Sequence, residues 1–319
     1  MAKDIFLDLS ESKGLGDTLC VTPVIRKLFE CYEKKINIIS NYPVLFQNNP
    51  YINKNYSSGS INLDFVKSNH IYHSSFYNVG KKNEFGVEYK YNTIDIRQYH
   101  AIMLGFSLLD SELELDYISV PKVPIEELPE KYVLIHPVQT WATRTWDAEK
   151  WMSLTEKLNS VGIAVVSTGK DSSETGFFNV QKPVFNFDIP LGQNLMNQVD
   201  IPQTWHLIND SLCFITMDSG LLHLAGTTDT NIIQLGSSIN YKLRAPYRNG
   251  SQDYKYSYVG GGCNIFCGSN MKYGVKEWGN IQGVPPLVKC LENKETFECH
   301  PSVDQVFNKV IEIINNKNV

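Results

Sequence analysis

Met217-Asp218-Ser219-Gly220-Leu221-Leu222-His223-Leu224-Ala225-Gly226 reads as a turn opening into an apolar helix. A strand-like run precedes it, Cys213-Phe214-Ile215-Thr216, and another follows, Asn231-Ile232-Ile233-Gln234-Leu235. Strand, Asp-Ser-Gly turn, helix and strand form the unit from which parallel sheets are built. Such a turn directs backbone N–H groups and the positive end of a helix into one crevice, which is how α/β proteins hold phosphate. The arrangement recurs near the N-terminus, where Asp4-Ile5-Phe6-Leu7-Asp8-Leu9 leads into Gly14-Leu15-Gly16-Asp17-Thr18. Two such turns, far apart in the chain, predict two nucleotide-binding-type domains facing one cleft.

The rest of the chain agrees with this α/β alternation. Val21, Val24, Ile25, Leu28 and Phe29 predict a helix over 18–32, and Ile36-Asn37-Ile38-Ile39 a strand. Asn48-Asn49-Pro50 is a turn, and residues 53–100 are polar and poorly periodic. A helix near 97–108 closes the first half. Three prolines between Val120 and Pro129 mark a linker. Beyond it, strands are expected at 132–135, 163–167, 184–187, 213–217 and 231–235, with helices over 147–161, 202–209 and 302–315. The expected divisions are 1–120 as an acceptor domain, 130–260 as a nucleotide-sugar domain, 261–301 as a cysteine-rich segment and 302–319 as a terminal helix.

At 319 residues the chain suits two domains, each able to bury a core. No apolar run approaches the ~20 residues that cross a bilayer. The chain enters its first strand after Met1-Ala2-Lys3, without a basic leader, so a cytoplasmic protein with no stable membrane insertion is expected. A net charge of −5 provides no field for polyanions and weighs against a general nucleic-acid binder. Cys20, Cys31 and Cys213 lie in apolar contexts and read as small buried residues.

Asp17 stands at a helix start on a loop leaving a parallel sheet, where it can cap the helix or accept a proton from a hydroxyl. Arg144 precedes a helix whose first turn holds Asp147 and Glu149; it suits either a diphosphate or an ion pair with those carboxylates. Trp146 and Trp151 read as core anchors. Thr168-Gly169-Lys170 ends a strand and either lines a ribose or base pocket or is only a turn. His223 lies one helical turn beyond Ser219, in reach of a phosphate held by Asp218, Ser219 and Gly220. Cys263, Cys267, Cys290 and Cys299 crowd one segment poor in aliphatic residues. Four thiols there suit a structural zinc or iron; free thiols and disulfides are the alternatives.

In order and spacing, Gly14-Leu15-Gly16-Asp17-Thr18, Thr22-Pro23, Asn49-Pro50, His136-Pro137, Arg144-Thr145-Trp146 with Trp151, Thr168-Gly169 and Asp218 through Ala225 resemble the heptosyltransferase-like glycosyltransferases of family 9. The resemblance implies a GT-B architecture, two Rossmann-like domains facing a central cleft. It also implies inverting transfer from a nucleotide-diphosphate sugar, commonly ADP-heptose, without a catalytic metal. Carried over by position, Asp17 would be the general base and Arg144 the basic partner of the diphosphate. Asp218, Ser219, Gly220 and His223 would hold the donor, with Gly14, Gly16, Thr18, Thr168, Gly169 and Lys170 lining the same cleft. The cysteine segment resembles the iron finger of autotransporter heptosyltransferases. A glycan, lipopolysaccharide or protein hydroxyl is the expected acceptor, a nucleic-acid base the less favoured one, and a homo-oligomer is left open. A decayed nucleotide-sugar-binding module and a GT-B-shaped epimerase are the rival readings.

Overall fold

The computed structural model describes residues 3–12, 14–75, 93–137, 142–170, 189–269, 290, 292 and 294–317. Two wholly parallel sheets carry the molecule. The first contains β1 (Ile5–Asp8), β2 (Ile36–Ser40), β3 (Ile52–Ser57) and β4 (Ile71–Ser74) in the order β3-β2-β1-β4. The second contains β5 (Tyr132–His136), β6 (Ala164–Ser167), β7 (Gly192–Asn194), β8 (Cys213–Thr216), β9 (Ile232–Leu235) and β10 (Tyr256–Val259) in the order β10-β9-β8-β5-β6-β7. The central strands β1, β2, β5, β6, β8 and β9 are buried at every position, as their near-continuous Ile, Val, Leu and Phe runs demand when both faces are covered. This is the GT-B arrangement.

In each sheet the chain first builds outward from one strand and then returns to that strand's other side. The order reverses between β1 and β4 in the first sheet, and between β5 and β8 in the second. Crevices open at the carboxyl ends of strands at such reversals. Both glycine turns leave from these points.

The helix expected over 18–32 is two helices, α1 (Leu15–Leu19) and α2 (Thr22–Tyr32). Pro23 has no N–H and suits the first turn of α2, while Thr22 Oγ1 donates to the Leu19 carbonyl at 3.0 Å across the joint. Cys31, read as buried, is exposed on the last turn of α2, beyond the face carrying Val24, Ile25 and Leu28. The polar stretch 53–100 contains β3, α3 (Leu63–Asn69) and β4. The strand at its start, INKNYS, lies at a sheet edge and buries only Ile52, so it carries no apolar pattern. Asn62 caps α3 by accepting from Phe65 N at 3.0 Å. The helix near 97–108 is α4 (Ile96–Met103), which ends before Gly105 at φ +78°. The second sheet is flanked by α5 (Ala148–Ser160), α6 (Ile201–Asp210), α7 (Gly220–Ala225) and α8 (Val303–Lys317). The expected strand at 184–187 lies outside the described residues.

One apolar cluster runs through both lobes, from Ile5, Leu19 and Val24 to Phe214, Leu222 and Leu224. A second lies on the far face of the larger sheet, where Trp151, Leu154 and Leu158 of α5 meet Val306 and Val310 of α8. Trp146 and Trp151 are fully buried and meet edge to face at 4.8 Å, as expected of core anchors. Among the described residues no helix is long and apolar enough to cross a membrane.

Candidate active site

The two glycine turns touch. A methyl group on Gly16 would lie 2.7 Å from His223 Cδ2 and 3.0 Å from Gly220 Cα; one on Gly220 would lie 3.1 Å from Gly16 N. The first of these is shorter than real Cβ contacts and the other two are tighter than most, so glycine at both positions lets α1 and α7 approach this closely. The contact places Asp17 of the first lobe beside Asp218, Ser219 and His223 of the second.

Asp17 stands in the first turn of α1, with its carboxylate folded back over Gly14; a methyl there would lie 2.4 Å from Asp17 Oδ2. Thr18 is buried and its hydroxyl donates to the Gly14 carbonyl at 2.9 Å, closing the turn. Burial pushes the Asp17 carboxyl up to about 6; Arg244 and Arg144 pull it down and Asp218 pushes it further up. A helix end contributes only ~0.3–1 kcal/mol to a carboxylate, and α1 has five residues. Burial therefore outweighs it.

The second lobe brings its groups to the reversal between β5 and β8. His136 ends β5 and is paired in register with Thr216 at the end of β8. Its Nδ1 lies 3.0 Å from Thr216 Oγ1 and 3.1 Å from Ser219 Oγ, and the two hydroxyls are 3.1 Å apart. The Ser219 hydroxyl is thus engaged by His136 and does not cap α7. Gly169, at φ +136°, packs flat against this ring; a methyl there would lie 2.7 Å from His136 Cδ2. The neighbouring Thr168 hydroxyl is buried without a hydrogen-bond partner, and Lys170 is exposed. Burial lowers His136 and His223 to about 3, so both imidazoles are neutral at ordinary pH.

Asp218 is buried between two arginines. Arg144 Nε lies 3.3 Å from its Oδ2 and donates to its backbone carbonyl at 2.8 Å; Arg244 Nε lies 3.8 Å from its Oδ1. Arg144 thus faces inward, while Asp147, its sequence neighbour, pairs with Lys150 at 3.4 Å. Two guanidinium groups around one carboxylate leave a local excess of positive charge next to Asp17, suited to a phosphate-bearing ligand.

Sequence reasoning missed Arg244, whose surroundings Asn240-Tyr241-Lys242-Leu243-Arg244-Ala245-Pro246 carry no periodicity. It also missed Arg97 and His100 on α4. Arg97, fully buried, pairs with Asp95 at 2.5 Å and donates across the lobes to the Ala245 carbonyl at 3.0 Å. His100 meets Ser75 Oγ at 2.8 Å and also bonds toward the Asp17 backbone; burial lowers it to about 4.

The four C-terminal cysteines are free thiols, Cys299 buried and the others half-buried. Burial pushes Cys267 up to about 11, with Cys290 and Cys263 pushing it further, and Cys299 up to about 12, with Cys267, Cys263 and Cys290 pushing it further. Gly261 N donates to the Cys299 carbonyl at 3.0 Å and Cys263 N to the Glu298 carbonyl at 3.3 Å, tying the ends of the segment together. Among the described residues, no three His, Cys, Asp or Glu side chains close into a metal-holding group.

The family model for glycosyltransferase family 9 (heptosyltransferase) matches residues 92–252, just over half of the 319-residue chain. Comparison with curated protein sequences gives no match. Among solved structures, the chain is similar to TibC, a bacterial iron-containing dodecameric glycosyltransferase from enterotoxigenic E. coli H10407. That likeness has 15% identity and a TM-score of 0.67, covering 100% of this chain and 78% of that one. The heptosyltransferase TibC in complex with ADP-D-beta-D-heptose aligns with 16% identity, a TM-score of 0.72 and the same coverage. A family 9 glycosyl transferase from Veillonella parvula DSM 2008 aligns at 12% identity and a TM-score of 0.64, covering 99% of each chain. Likeness at these identities is one of fold. The match of half the sequence goes further: this chain belongs to glycosyltransferase family 9 and is a glycosyltransferase.

Proposed function

We propose that the protein transfers a sugar, by preference heptose, from an ADP-linked donor to an acceptor hydroxyl on a glycan, lipopolysaccharide or protein, with inversion. One observation carries this reading: a carboxyl of raised pKa stands next to a buried Arg-Asp-Arg cluster across the Gly16–Gly220 contact. In the proposed step, ionised Asp17 takes the acceptor proton as that oxygen attacks the anomeric carbon. The bond from that carbon to the diphosphate oxygen breaks, and its electron pair leaves with the diphosphate. Arg144 and Arg244, held by Asp218, meet the charge as it develops. Ser219 with His136, together with Gly220 and His223, shapes the donor pocket; Gly14, Gly16 and Thr18 hold Asp17; Thr168, Gly169 and Lys170 border the nucleotide. A base with a pKa of about 6 is ionised at neutral pH yet basic enough to share a proton in flight. The ADP-D-beta-D-heptose bound by TibC supports the donor class.

The same reading gives residues 1–120 the acceptor, 130–260 the donor, and 261–301 a structural metal ahead of the helix in 302–319. Cys263, Cys267, Cys290 and Cys299 fit zinc or iron by donor type. A metal there would cross-link a segment poor in aliphatic residues and take no part in the transfer. The iron of TibC supports iron as the first candidate. Cys20, Cys31 and Cys213 as free thiols suit a reducing compartment such as the cytoplasm.

The test uses Asp17→Asn with ADP-heptose as donor. Transfer is expected to fall by at least ~100-fold, as loss of a general base does, while ADP binding by calorimetry is retained. Near-native turnover by the variant defeats the base assignment. A thermal-shift panel tests the donor: a nucleotide at 100 times its Kd stabilises by about 2.7 kcal/mol. A shift with UDP or GDP species and none with ADP species redirects the donor assignment.

A further inference from the structure

Arg144 ends a single 3-10 turn, Ala142–Arg144, that is held from behind. Thr143, next to it, is buried; its hydroxyl meets Ser238 Oγ at 2.8 Å and its carbonyl lies 3.0 Å from His300 Nε2. Trp146 Nε1 donates to the Pro301 carbonyl at 3.0 Å. A carbonyl can only accept, so His300 Nε2 carries the proton and donates. Two residues, Arg144 and Thr145, separate these anchor points. With both ends fixed, the direction in which the guanidinium projects onto Asp218 is fixed as well.

We propose that His300 is a positioning residue for the donor site: by holding the Thr143 carbonyl, it sets Arg144 on Asp218 at the place of the donor diphosphate. This rests on the reading of Arg144 as a diphosphate partner. A buried carbonyl deprived of its donor is costly to leave unpaired, so the loop shifts to find another. Displacements near 1 Å in a positioning group cost up to ~100-fold in function. Neither Thr143 nor His300 needs to touch the donor for this to operate.

The test is a double-mutant cycle read as the Kd for ADP by calorimetry. Arg144→Ala is expected to weaken ADP by tenfold or more, and His300→Ala by about fivefold or more. His300→Gln, whose side-chain amide can donate to the same carbonyl, is expected to recover most of that loss. In the Arg144→Ala background, His300→Ala is expected to add less than twofold. Should His300→Ala fail to fold, His300→Leu, which fills much of the ring's volume but cannot donate to the Thr143 carbonyl, carries the same cycle. A Kd unchanged by His300→Ala while Arg144→Ala weakens binding overturns the proposal alone. So do multiplicative effects in the double variant, or failure of Gln to restore binding. ADP binding untouched by Arg144→Ala, or absent from the native protein, overturns the donor reading and the proposal with it.

Discussion

If Asp17 is the base of the proposed reaction, it and its two arginines set the pH behaviour of that reaction. Below about pH 6 the carboxyl holds its proton and cannot take another, so kcat/KM is expected to fall on the acid side with a midpoint there. Arg244 is the largest of the influences that pull this pKa down. Arg244→Ala should therefore move the acid limb upward, because a carboxylate loses stabilisation when a nearby cation is removed. A pH–rate profile of the variant checks the sign; an unmoved or lowered limb would show that Arg244 does not act on Asp17. Arg244 was invisible in the sequence because its meaning comes from the fold. Arg97, which holds the next residue's carbonyl, is 148 residues away from it. Asp17 and His223 were legible because each lies within a few residues of a glycine turn that announces itself.

At the level of elements, α1 and α7 meet through Gly16 and Gly220 with no room for a methyl group. Gly16→Ala would press Cβ against the His223 ring and the Gly220 backbone, and a backbone atom cannot rotate away. Overpacking of this kind costs ~1–3 kcal/mol. The expected outcome is a lowered Tm together with loss of transfer, since relief of the clash pushes Asp17 away from Asp218. Gly59→Ala serves as the contrast: nothing lies within 4 Å of a methyl there, but φ is +79°, so only backbone strain is added. Denaturation of the pair measures the difference; equal losses would deny the tight contact. Buried central strands and amphipathic helices were readable from their periodicity. The edge strands β3, β4, β7 and β10 were not: each has a neighbour on one side only among the described residues, and β3 and β7 consist largely of polar residues or glycine. The break between α1 and α2 was masked because apolar spacing continues across it.

For the molecule as a whole, four buried imidazoles have lowered pKa values, His300 and three that are lowered by a wide margin. His136 and His223 are lowered to about 3 and His100 to about 4, by burial in each case. The unfolded chain takes up these protons as pH falls through its ordinary value of 6.5, while the folded protein refuses them. Stability contributed by the neutral rings is thus present above pH 6.5 and is lost on acidification, by up to about 1.4 kcal/mol per pH unit for each ring. Asp17 has the opposite sign, because its folded pKa is raised and folding then favours the proton between about 6 and its ordinary value of 3.8. One carboxyl offsets only part of three rings. Tm is expected to fall steadily from pH 6.5 to pH 5 at constant ionic strength. A flat or rising Tm over that range would contradict buried neutral histidines.

The apolar cluster that passes from the first sheet into the second makes the lobes partners in one unfolding event. Calorimetry should then show a single transition whose van't Hoff and measured enthalpies agree, and a fragment ending near residue 120 would present Leu19 and its neighbours to water. Recombination faces the same constraint. A front lobe borrowed from a relative brings a mismatched face unless the residues opposite it change in concert, so the heritable module here is the matched pair.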